Sequence, residues 1–323
     1  MNDNNNNRVF YFDNLKAFLI FLVVLGHFLS YAPKSNSLIT GTIVFIQSFY
    51  MQFFLLINGY FYSKKNFKFK VLSFILIGLL LKIVLALFSK KITFNLFVTQ
   101  NIPWYLFALS AFYIMAYFMD NVNLYKVIFI NILLLNLVVF DKNINHTFCL
   151  ARIIAFFPYF LIGIIVKRYK EEILLIYNTY KNIFRIVAVF ILLLWADICF
   201  NHIDLIKILR KFIPAHTDYT GVEQYFYLKT VTFLICIILM VAIAVLMPKK
   251  KIPLLSHIGT KTLQIYFWHT IIRNILMRFD VNKIVNNGIW FVLSIATFLI
   301  CSIDIFKYPT EFFIYKNLTL KNV

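Results

Sequence analysis

The chain has 323 residues, 62% of them apolar and 14% charged, with a formal net charge of +19. A soluble domain carries roughly 45–50% apolar and about 25% charged residues, so this composition excludes an ordinary water-facing surface and makes lipid the expected covering. The positive excess sits in short segments between apolar runs, where membrane insertion accounts for it, and no nucleic-acid partner is expected.

Taken in chain order, apolar runs lie near 14–32, 39–62, 69–89, 102–119, 124–140, 148–166, 183–201, 228–247, 256–277 and 288–306. A crossing helix needs about 20 mostly apolar residues, so the expected fold is all-α and integral to the membrane, a bundle of about ten transmembrane helices in a single domain over residues 1–323. The Asn-rich start has neither a basic leader nor a small-residue cleavage site, and the first run reads as an uncleaved helix. Placing the N-terminus inside leaves seventeen Lys/Arg in cytoplasmic segments, ten in external ones and five inside the runs. Basic flanks are retained on the cytoplasmic side, so both termini are expected there, in a multi-pass protein of the cell membrane. The tails are then residues 1–10 and 307–323, and the longest external loop is 202–227, whose Lys207, Arg210 and Lys211 fit a short solvated helix. Cys149, Cys199, Cys236 and Cys301 stand singly, with no C-x-x-C pair, which argues against both a thiolate metal site and a disulfide framework. The oligomeric state is open.

Ionisable groups inside a bilayer cost roughly 2.5–3.5 kcal/mol each and mark candidate functional positions. With about 1.5 Å of rise per residue, His27 lies roughly 20 Å into an outward-running first helix. The same count puts Gln47, Lys82, Pro103, Trp104, Tyr105, Arg152, His269 and Arg273 toward the outer side, the pattern expected of a polar cavity opening outward. Lys16 and His27 are eleven residues apart. Eleven helical steps bring them onto one face about 16 Å apart, with Asp13 beside Lys16 on the same stripe. An interfacial ion pair would also explain Asp13 and Lys16. Trp104 and Tyr105 have a plain alternative as interfacial aromatics, Arg152 as a snorkelling residue, and Lys64–Lys70 as topology determinants.

A neutral imidazole can take the proton of a hydroxyl that attacks an activated carbonyl. No G-x-S-x-G, H-E-x-x-H or Gly-rich phosphate loop is present, which leaves direct transfer assisted by one base. The competing reading is a transporter or flippase of a lipid-linked saccharide, for which inverted repeats would speak; no pairing of interrupted helices between the halves is seen.

Five ordered blocks carry a resemblance. They are Tyr11-Phe-Asp-Asn-Leu-Lys16 with Leu25-Gly-His27; Phe53-Phe-Leu-Leu-Ile-Asn-Gly-Tyr-Phe61; Ile102-Pro-Trp-Tyr-Leu-Phe-Ala-Leu109; Arg152 to Gly163; and Ile258 to His269. Together they resemble the type 3 integral-membrane acyltransferases, and among them the fucose 4-O-acetylase-like sugar acetyltransferases. The resemblance implies an O-acetyltransferase that uses acetyl-CoA or another acyl-CoA as donor substrate and has no tightly bound cofactor or metal. Its acceptor would be a cell-surface glycan or lipid-linked sugar. His27 would be the base, with Lys16, Lys65 and Lys68 near the donor phosphates. Asp13, Gln47, Asn58, Trp104, Tyr105, Arg152 and His269 would serve substrate. The chain departs from the family pattern at Tyr50 and Gln52, where relatives often carry His and Pro, and at Asn58, usually Ser; these departures bear on acceptor choice and on activity itself.

Overall fold

The computed structural model describes residues 10–32, 37–88, 103–140, 149–214, 221–281 and 286–313. They form α1 (Phe10–Leu29), α2 (Ser37–Gln47), α3 (Tyr50–Tyr60), α4 (Phe67–Leu87), α5 (Trp104–Tyr117), α6 (Leu124–Leu137), α7 (Leu150–Arg168), α8 (Lys170–Thr179), α9 (Lys181–Asn201), α10 (Ile203–Phe212), α11 (Leu228–Leu246), α12 (Pro253–Ile258), α13 (Thr262–Arg278) and α14 (Asn287–Cys301), with no strand among the described residues. By length and apolarity, six of these segments can cross a bilayer: α1, the broken pair α2–α3, α4, α7, α9 and α11. α5, α6 and α14 are apolar but shorter. Parts of the expected tails and external loop, at 1–9, 215–220 and 314–323, lie outside the described residues.

α1 is the axis of the assembly, packing against α2, α3, α12, α13 and α14. Leu15, Ala17, Leu19, Ile20, Val23, Val24, Phe28 and Leu29 are all but sealed from the surface. α9 is the opposite case, with Ile183, Ile186, Phe190 and Leu193 pointing outward. In water such a surface would be untenable, whereas acyl chains cover it at no cost.

Two expected runs are broken where the backbone has a reason to turn. The run 39–62 kinks at Ser48–Phe49, where Phe49 adopts φ −148° and ψ −25°. Gln52, fully buried, donates its Nε2 to the Gln47 carbonyl across that kink at 3.1 Å. The run 256–277 divides at Gly259–Lys261 into α12 and α13. There Gly259 lies against the backbone of Asp13, and a Cβ at that position would sit 1.9 Å from the Asp13 carbonyl oxygen. The expected loop 202–227 contains α10, which buries Ile206, Leu209 and Phe212, exposes Lys207 and leaves Lys211 half-buried.

Asn14 fastens this corner to the start of α1. Its Nδ2 donates to the carbonyls of Pro248 (3.0 Å) and Lys250 (2.9 Å), and its Oδ1 accepts from Ser256 Oγ at 2.7 Å. Asn14→Ala removes all three bonds from a fully buried position and is expected to cost about 2–3 kcal/mol, read as a lower unfolding temperature of the purified protein in detergent. An unchanged transition would show that the 248–256 segment is held by other contacts.

α13 divides its labour between two faces. Lys261 Nζ donates to the Ser302 carbonyl at 2.8 Å and pairs with Asp304 at 2.6 Å; Gln264 Nε2 donates to the Cys301 and Ile303 carbonyls, each at 2.7 Å. Trp268 Nε1 reaches the Phe306 and Tyr308 carbonyls at 2.8 and 2.9 Å. At about 100° per residue, Lys261, Gln264 and Trp268 share one side of the helix, while Tyr266, His269 and Arg273 share the other. The first side locks down the end of α14, which leaves the second to face α1.

Candidate active site between the first and thirteenth helices

His27, half-buried on α1, stands beside His269 of α13 with ring centroids 5.3 Å apart and planes at 37°. His269 is sealed from the surface, and its Nδ1 lies 2.8 Å from the Ile265 carbonyl oxygen. A carbonyl can only accept, so Nδ1 carries the proton and Nε2 is left as a bare acceptor. That Nε2 is buried and has no hydrogen-bond partner among the described residues.

Arg273 completes the group. Its Nη1 donates toward His27 Nδ1 at 3.4 Å, its Nη2 donates to Asn274 Oδ1 at 3.1 Å, and its guanidinium carbon lies 5.2 Å from the ring centre of Tyr31. Arginine has no acceptor, so in this arrangement the neutral His27 ring holds its own proton on Nε2. Tyr31 lies four residues beyond His27, in the turn that follows α1, and is 44% exposed, which makes it the outermost member of the stack Tyr31–Arg273–His27–His269.

A cleft of about 240 Å³ approaches the same group from the other end of α1. Lys16, Ile20 and Val23 line it at i, i+4 and i+7, and His27 follows at i+11 on that stripe. Across the cleft stand Asn58 from α3, Tyr105 from α5, and Thr262 and Tyr266 from α13. Asn58 Nδ2 donates to Tyr105 Oη at 2.9 Å, and the Tyr105 and Tyr266 rings lie 5.5 Å apart. Tyr266 in turn lies 6.1 Å from His269, so these two tyrosines separate the cleft from the histidine pair.

The structure thus brings together Lys16, Asn58, Tyr105, His27 and His269 among the residues expected from the sequence. Trp104 stacks on Phe156 at 4.9 Å and carries the Arg152 guanidinium over its face at 5.0 Å. Arg152 is within electrostatic reach of His27, Tyr50 and Tyr266, at the edge of the site. Asp13 is buried and engaged with Lys16 at 3.0 Å, outside the cleft lining. Gln47 sits at the α2–α3 kink and hydrogen-bonds to neither histidine; Lys65 and Lys68 are exposed and do not line the cleft. Tyr266 was not singled out from the sequence, and Arg273 was noted only for its depth. Their spacing from His269, three before and four after, was the available signal, because it puts all three on one helical stripe.

Apolar spanning helices around an intramembrane pair of histidines, with an arginine at one end and a lysine-mouthed cleft at the other, define a membrane protein built for polar chemistry inside the bilayer. A family model described as an acyltransferase domain matches residues 9–306, which takes in every element of the site. The chain belongs to the type 3 acyltransferase family and is a membrane acyltransferase. No curated protein and no solved structure gives a significant match.

Proposed function

We propose that the protein moves an acetyl group from cytoplasmic acetyl-CoA to a hydroxyl of a cell-surface or lipid-linked glycan, with His27 as the general base. The observation that carries this reading is the continuity of one α1 face, from Lys16 through Ile20 and Val23 in the cleft to His27 beside His269. The stripe is about 16 Å long, which suits a pantetheine arm whose phosphates stay at the Lys16 end. About ten crossings with both termini cytoplasmic accord with the charge count and put the Lys16 end inside and the Tyr31 end outside.

In this scheme Lys16 contacts donor phosphate, with Lys65 and Lys68 in the long-range field, and the thioester carbon comes to rest past Tyr105 and Tyr266. The acceptor hydroxyl enters from the Tyr31 side. Its proton passes to His27 as its oxygen attacks the thioester carbon; the carbon–oxygen bond forms, the carbon–sulfur bond breaks, and the departing thiolate takes the proton from His27. Transfer needs donor and acceptor held together, and in this scheme they meet at one imidazole. The branch resemblance favours a sugar acceptor. The Tyr50 and Gln52 departures fall at the α2–α3 kink, and Tyr50 shares with His27 the electrostatic reach of Arg152.

Purified protein in vesicles given acetyl-CoA is expected to release free thiol only when a glycan acceptor is added, and Lys16→Ala is expected to raise KM for the donor about tenfold, as the loss of one charged phosphate contact would. A parental protein that moves labelled lipid-linked sugar across the vesicle wall without releasing thiol would establish the transporter reading instead.

A further inference from the structure

The group over His27 is a buried guanidinium with no counter-charge among the described residues. Arg273 is 8% exposed, and among the described residues no carboxylate lies within ion-pairing distance of it. Among the described residues its polar contacts are the long one to His27 Nδ1 and the neighbouring Asn274 amide, and its buried Nε–H has no partner there. An arginine offers five N–H donors in a planar fork matched to carboxylate and phosphate. Holding a cation in such a place is costly unless an anion meets it there. Its position is equally specific. The Tyr31 ring covers it on the exposed side and His27 lies beneath it, so anything reaching His27 from the Tyr31 end passes the guanidinium first.

The contact to His27 has a chemical consequence. While Arg273 donates to Nδ1, that lone pair is engaged and the other ring nitrogen bears a proton, so the ring has no free site from which to take a second one. An imidazole held this way is a base only after the guanidinium turns away.

Building on the acyl-transfer reading, we propose that Arg273 is the binding residue for an oxyanion carried by the acceptor, a carboxylate or a phosphate next to the hydroxyl that is acylated. The anion draws the guanidinium off His27 Nδ1 into a two-pronged contact through Nε and Nη. The freed Nδ1 lone pair then accepts the hydroxyl proton as the acceptor oxygen bonds to the thioester carbon, and the proton leaves with the thiolate. Acceptors without the anion leave Arg273 on His27 and are poor substrates.

The test pairs matched acceptors with the purified, full-length protein: methyl glucoside against methyl glucuronide for the carboxylate, and glucose against glucose 1-phosphate for the phosphate. The parental protein is expected to favour at least one anionic member by about 30-fold or more in kcat/KM, Arg273→Gln to bring that member down to the level of its neutral mate, and Arg273→Lys to keep part of the preference. The arm that shows the preference identifies the oxyanion. A second measurement is independent of turnover and of the variants. In protein labelled with nitrogen-15 histidine, glucuronate or inorganic phosphate should move the Nδ1 signal of His27 toward that of an unbonded acceptor. Equal use of charged and neutral acceptors, a uniform loss in Arg273→Gln, or a His27 signal indifferent to both anions would overturn the proposal. If the anions move the His27 signal but no acceptor releases thiol, acyl transfer is wrong and the anion site stands. If neutral acceptors are acylated as well as charged ones, the anion site is wrong and acyl transfer stands.

Discussion

His27→Asn is expected to fold, reach the membrane and transfer acyl groups about 10²–10⁴-fold more slowly than the parental protein, the usual worth of a general base. Asparagine is the informative replacement because its side-chain oxygen can still accept from Arg273 Nη1, which now donates toward His27 Nδ1 at 3.4 Å. The contact survives and the titratable nitrogen does not. His27→Ala removes both and serves as the harsher comparison. If the role of His27 were to hold Arg273 in place, the asparagine protein would keep near-parental activity and the alanine protein would lose it. If His27 is the base, the two fall together in kcat. KM for acetyl-CoA should stay within a fewfold in both, because the Lys16 end of the cleft is eleven residues away along α1 and untouched. Transfer at the parental rate by the asparagine protein would falsify the general-base assignment.

Much of this site was legible from the sequence because helical geometry converts spacing into direction. The eleven-residue interval from Lys16 to His27 fixed a common face of α1, and the cleft follows that face through Ile20 and Val23. The cost of burying charge singled out Arg152, His269 and Arg273 without any knowledge of what surrounds them. Partnership between helices was not legible. Nothing local tells which of ten runs pack together, so the 5.3 Å approach of His27 to His269 and the Arg273 contact could not be read off. For the same reason Asp13 and Gln47 looked as good as Asn58. Asp13 is taken up by Lys16, and Gln47 sits at a kink whose φ/ψ change at Phe49 has no Pro or Gly to announce it. The kinks also explain why run lengths overstated the continuous helices: an apolar stretch stays apolar through a break, and hydropathy does not register the turn at Gly259.

The largest structural effect is expected at the α3–α7 seam, where Gly59→Ala or Gly163→Ala should destabilise the protein by about 3 kcal/mol or more, at the upper end for overpacking a core. A Cβ on Gly59 would lie 1.9 Å from the Phe160 carbonyl oxygen, and one on Gly163 would lie 2.0 Å from the Leu56 carbonyl oxygen and 2.7 Å from the Tyr60 nitrogen. These obstacles are backbone atoms, so no rotamer change relieves them and the helices must separate. Small residues that let backbones approach are the means by which helices associate where lipid removes the hydrophobic drive between them. The site would feel the separation, since α3 presents Asn58 to Tyr105 and α7 presents Arg152 to Trp104. Gly288→Ala is the matched control: the nearest heavy atom to its Cβ is Asn286 Oδ1 at 3.5 Å, an ordinary contact, and the change should stay within about 0.5 kcal/mol. Thermal unfolding of the three variants in one detergent decides the matter. Gly59→Ala and Gly163→Ala melting with Gly288→Ala would show that the seam is looser than this packing requires, and that Asn58 and Arg152 owe their positions to other contacts.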